Sequence, residues 1–78
     1  MGDWIDISRS AWLDAAKYDE STAEAEGRAS MFLRLKTGVE IEVLDVTPRV
    51  WREFMGSQSR GRFYHRVIAP SHVKRVVS

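Results

Sequence analysis

Seventy-eight residues with 44% hydrophobic side chains, three tryptophans and no cysteine give one domain with a thin core, because a chain this short buries only roughly 60% of its unfolded surface. Without cysteine there is no disulfide and no thiolate metal site, which fits a reducing compartment. No apolar run approaches the ~20 residues of a membrane helix, and Met1-Gly2-Asp3-Trp4 lacks the basic and apolar regions of a signal peptide, so a cytoplasmic, membrane-free protein is expected.

In chain order, residues 1–10 read as an arm, anchored by Trp4, Ile5 and Ile7, ahead of a domain spanning 11–78. A short strand is expected from Ala11 to Tyr18, with Leu13, Ala16 and Tyr18 as its apolar members. Residues 19–29 are polar and acidic, a solvated loop. Ser21 and Glu24 have capping-box spacing there, so one helical turn is the alternative. Met31, Leu33 and Leu35 then alternate with Phe32, Arg34 and Lys36, and Val39, Ile41 and Val43 with Glu40 and Glu42. Both runs have the period of two of a half-buried strand. Thr37-Gly38 as a two-residue connection makes them an antiparallel hairpin, with strands near 29–37 and 39–46.

At Thr47-Pro48 the pattern changes. Threonine caps a helix and proline suits its first position. Val50, Trp51, Phe54 and Met55 follow as one apolar stripe, giving a helix near 48–55 that stops at Gly56. A second helix is expected near 59–68, capped by Ser59 and ended by Pro70, with Phe63 over Val67 and Tyr64 over Ile68. Gly61 is expected to let the two helices pack closely. The tail Val73, Val76, Val77 either docks as a last short strand or frays. Strands followed by helices make an α+β fold: a three-stranded antiparallel meander with two short C-terminal helices packed on one face. The other face is expected to be largely wet. The core is expected to include Leu13, Tyr18, Met31, Leu33, Leu35, Ile41, Val43, Trp51, Phe54, Phe63 and Ile68.

The chemistry-bearing residues do not form a catalytic set. Glu40 and Glu42 share one strand face, but a solvated pair has nothing to push its two pKa values apart. His65 and His72 lie seven residues apart with no further ligand nearby, against the closely spaced sets that zinc uses. No phosphate loop or nucleophile elbow is present. The expectation is therefore a non-enzymatic binding module without metal or cofactor.

Charge gives the partner class. The net charge of +1 hides a division: residues 1–30 carry three basic against seven acidic side chains, and residues 51–78 carry six basic against Glu53 alone. Arg49 and Arg52 are three apart on the first helix, and Arg62 and Arg66 are four apart on the second, with Arg60 at its start. Arginine is the side chain suited to bidentate phosphate contact. These five, with Tyr64 or Trp51 as a stacking ring, make a candidate nucleic-acid surface on the basic helical face.

The stretch from Leu13 to Ile68 resembles the KTSC domain, a small domain found at the C-terminus of some lysyl-tRNA synthetases and alone in bacterial and phage proteins. Leu13 and Tyr18-Asp19 match its opening strand. Met31, Leu33, Leu35 and Gly38 match its second strand and turn, and Val46, Val50, Trp51 and Phe54 its helix start. Most specific is Ser57-x-Ser59-x-Gly61-x-Phe63-Tyr64-His65-x-x-Ile68, in which Ser59, Gly61, Phe63 and Ile68 are structural. Ile41-Glu42-Val43 stands where the family has Tyr-x-Tyr, Thr47 where it has proline and His65 where it has asparagine. The synthetase context implies RNA binding. The lost tyrosines and the long acidic loop favour the alternative, a protein-binding accessory of bacterial or phage type that modulates a partner complex.

Overall fold

The computed structural model describes residues 3–23 and 27–78. Five antiparallel strands lie in the order in which the chain makes them: β1 (Ile5–Asp6), β2 (Leu13–Asp19), β3 (Ala29–Leu35), β4 (Glu40–Val46) and β5 (Lys74–Val76). The helical segment α1 (Pro48–Gly56) follows β4, and α2 (Arg60–Phe63) runs into a π-helical continuation over Tyr64–Ile68. The α+β class and the two helical segments match the sequence expectation, but the sheet has five strands rather than three. The two extra strands are edge strands of two and three residues, too short for any hydrophobic period to register. The residues set apart as an arm supply β1, which pairs Ile5 with Ala16. The valine tail docks as β5, pairing Val76 with Ile41.

The hairpin between β3 and β4 turns through three residues, not two. Leu35 N–H donates to the Val39 carbonyl at 2.8 Å and Gly38 N–H to the Leu35 carbonyl at 2.9 Å. Gly38 adopts φ +93°, the left-handed position such loops reserve for glycine. At the other end of the hairpin the register slips between Ala29↔Val46 and Met31↔Val43. The extra β4 residue is absorbed by Asp45 at φ +59°, a conformation aspartate tolerates better than most side chains.

The two faces of the sheet differ as the alternation requires. Across one run the pairs Leu13↔Leu35, Ala16↔Leu33, Tyr18↔Met31 and Leu33↔Ile41. This face meets Phe54 of α1 and Tyr64 and Ile68 of the second helix in one buried cluster that also takes in Ile7, Ala29 and Val46. Of the expected core residues, Leu35, Ile41, Trp51 and Phe63 are only partly buried and pack against its margin. Tyr18 donates its buried hydroxyl to the Val46 carbonyl at 2.6 Å, and its ring stacks on Trp51 at 5.4 Å. Thr47 caps α1 by accepting the Val50 N–H at 3.2 Å.

The opposite face is less wet than expected. Trp4 lies under two cations, with Arg34 at 4.2 Å and Lys17 Nζ at 4.8 Å from its ring centroid. Glu42, expected in solvent, is 6% exposed. Ser30 Oγ donates to one of its oxygens at 2.6 Å and Arg75 Nε to the other at 2.8 Å. The Ser30 hydrogen bond, joined by Arg75, holds its carboxyl below the usual carboxylate range against the opposing effect of burial. Sequence alternation had put Glu42 on the outward face correctly. What covers it is an arginine 33 residues further along the chain.

In the acidic loop, Asp19 caps a 3-10 turn at Glu20–Thr22 by accepting the Ser21 N–H at 3.0 Å. Glu24 of the expected capping box lies outside the described residues.

Candidate functional site

The most family-like stretch of the sequence, Ser57 to His65, forms one wall of an open cleft of about 500 Å³. The opposite wall is the turn before β2, residues 9 to 12. That turn is set by local hydrogen bonds. Ser10 N–H donates to the Ile7 carbonyl at 3.0 Å, and Ser10 Oγ accepts the N–H groups of Trp12 and Leu13 at 3.4 and 3.3 Å. Ile7, 2% exposed, pins the turn to the core. On the facing wall Ser57 Oγ accepts the Ser59 N–H at 3.2 Å, and Ser59 Oγ meets the Arg62 N–H at 3.4 Å as the cap expected of it.

Gly61 makes the cleft's floor possible, by a contact other than the helix–helix packing expected of it. It admits close approach, but to Trp12 rather than to α1. A Cβ built on Gly61 would overlap the indole Nε1 and lie 3.0 and 3.2 Å from Cδ1 and Cε2. The indole is stacked on His65 at 4.9 Å and meets Tyr64 edge-on at 5.6 Å. The π-helical turn is closed by the Ala69 N–H on the Tyr64 carbonyl at 2.8 Å; Tyr64 lies in the core and the neighbouring His65 beside the cleft.

Three arginines converge here. Arg60 and Arg62 were anticipated; Arg9, some fifty residues away in sequence, was not. Among the described residues no carboxylate lines the cleft, though Asp6 borders an adjoining depression shared with Arg9 and Arg60. Arg60 donates one guanidinium nitrogen to the Met55 carbonyl at 2.8 Å and has its Nε buried without an acceptor. It is thus a cation with part of its hydrogen-bonding capacity unused.

The other expected contacts are dispersed. Arg49 pairs with Glu53 at 3.3 Å on the exposed side of α1. Arg52 and Arg66 are exposed and do not line the cleft. Tyr64 is 2% exposed, so it cannot stack on a base: it lies in the core, where its hydroxyl has no partner. Phe63 and Ile68 are packing residues, as expected. Trp51 is held between Tyr18 and Phe54. The aromatic pair that does stand at the cleft, Trp12 with His65, had no local signal in the sequence, because the two rings meet across more than fifty residues. His72 lies at the end of the π-turn with Nδ1 3.0 Å from the Ile68 carbonyl, to which only the Nδ1–H tautomer can donate. Among the described residues no group of three or more His, Asp or Glu side chains is arranged to hold a metal, and no helix is long and apolar enough to cross a membrane.

The family model described as the KTSC domain matches residues 9–72. Among solved structures, the KTSC domain protein YPO2434 from Yersinia pestis superposes with a TM-score of 0.83 over 100% of both chains, at 20% identity. That identity speaks for the fold alone. No curated protein matches the sequence.

Proposed function

We propose that this chain, which belongs to the KTSC domain family, is a non-enzymatic nucleic-acid-binding module that grips phosphates in the cleft between residues 9–12 and 57–65. The observation that carries this reading is the convergence of Arg9, Arg60 and Arg62, with Ser57 and Ser59, on a concave surface lined by no carboxylate among the described residues. Cations with no carboxylate partner in a cleft concentrate their field on an anion. Arginine and hydroxyl donors are the groups that most often meet phosphate oxygens. The surface differs from the broad helical face expected from sequence: Arg9 joins it, while Arg49, Arg52 and Arg66 lie outside it.

Salt dependence tests the reading. Each phosphate neutralised on a single strand contributes about −0.7 to the slope of log K against log salt. Three arginine contacts therefore give roughly −2, and Arg62→Ala flattens this by about 0.7. Fluorescence anisotropy with a labelled oligonucleotide, measured across a salt series, reads both slopes. Binding that ignores salt would reject phosphate contact. No binding at low salt would reject nucleic acid altogether and favour the protein-binding alternative.

A further inference from the structure

Behind the Trp12–His65 pair lies a second cavity, of about 350 Å³. Its walls are Leu35, Ile41 and Val76, with Tyr64 buried alongside and Lys74 and Arg75 at its rim. Among the described residues no carboxylate lines it, and Lys74 Nζ sits 5.5 Å from the Tyr64 ring centroid. Trp12 and His65 line both spaces, so two stacked rings form the partition between a cationic cleft and an apolar pocket.

Resting on the reading above, we infer that the ligand is single-stranded nucleic acid, and that it places one unpaired base in this second cavity while its phosphates lie in the arginine cleft. The arrangement fits the chemistry of a nucleotide, an anion joined to a flat and largely apolar ring. The volume falls within the usual range of roughly 300–1,000 Å³ for small-molecule sites. An apolar peptide side chain would fill the pocket equally well, but it would have no use for three cations on the far side of the partition. A duplex keeps its bases stacked and cannot deliver one into a side cavity, whereas single strands are recognised by splayed bases packed against aromatic rings beside a basic groove.

Three labelled probes separate the steps: a short oligothymidylate, an abasic phosphodiester strand of the same length, and a blunt duplex. The oligothymidylate is expected to bind roughly tenfold tighter than the abasic strand, the gain of one stacked base. The duplex is expected to match the abasic strand. Val76→Gln, at a position 71% exposed and so safe for folding, should remove the advantage of the base and leave abasic binding unchanged. Arg62→Ala should weaken the base-bearing and abasic strands alike. Equal, salt-sensitive affinity for oligothymidylate and abasic strand would overturn the base cavity while the phosphate cleft stands. Absence of binding by all three would overturn the cleft and the cavity together.

Discussion

Gly61→Ala adds one methyl group where the structure has no room for it. The backbone at Gly61 is ordinary helix, so the cost comes from packing alone. The new Cβ would overlap the Trp12 indole. That ring cannot easily retreat. Its backbone is tied to Ser10 Oγ and to the Lys36 N–H at 3.0 Å, and its face and edge are held by His65 and Tyr64. Overpacking of this kind costs about 1–3 kcal/mol. Alanine returns about 1 kcal/mol over glycine inside a helix, so a net loss near 1 kcal/mol is expected, or about 4–8 °C in Tm for a domain of this size. The decisive measurement is a double-mutant cycle with Trp12→Leu, which removes the indole Nε1 and Cε2 atoms that meet the Cβ. In that background Gly61→Ala should become neutral or stabilising, with a coupling of about 1–3 kcal/mol in equilibrium urea unfolding at unchanged m. An equal effect of Gly61→Ala in both backgrounds would refute the contact.

The two buried tyrosines should respond oppositely to loss of the hydroxyl. Tyr18→Phe strands the Val46 carbonyl and should cost about 1–2 kcal/mol, whereas Tyr64→Phe removes a buried hydroxyl without a partner and should be neutral or mildly stabilising; chemical denaturation compares them directly. Thr47→Ala should cost about 1 kcal/mol through loss of the α1 cap, read as a lower urea midpoint. Glu42 has a folded pKa below its unfolded one, so its contribution is present above the ordinary carboxylate value and is lost as pH falls through the folded value. Glu42→Gln should therefore be clearly less stable than the parent at neutral pH, with the gap closing under acid; a constant gap across a pH series of thermal melts would show that the charge is not what stabilises the network.

The central strands were legible because their pattern is local. Met31 to Val43 alternates, and each strand pairs with its chain neighbour, so period and topology agree. Thr47 and Ser59 announced their helices because a cap acts within three residues. The features that escaped are long-range. Nothing near Arg9 says that it faces Arg62, and nothing near Trp12 says that Gly61 lies against its indole. Tyr64 is a different case: its i, i+4 spacing to the core residue Ile68 already places it on the buried face of the helix, with Gly61 three residues before it, so the stacking role conflicted with a local signal. Glu42 showed that alternation assigns a side chain to a face without saying whether another segment covers that face.

The sheet ends on its two shortest strands. β1 has two residues and β5 has three, against seven in each of the strands between them. A seven-residue edge would present a long row of unpaired N–H and C=O groups, a template on which another copy could add a strand and begin to aggregate. The short strands leave little such template, and β5 also carries Lys74 and Arg75, whose charges disfavour stacking of like edges. Deleting β5 would therefore expose the full length of β4, with its Ile41-Glu42-Val43-Leu44 run, and convert an edge protected by brevity and charge into one that recruits its neighbours.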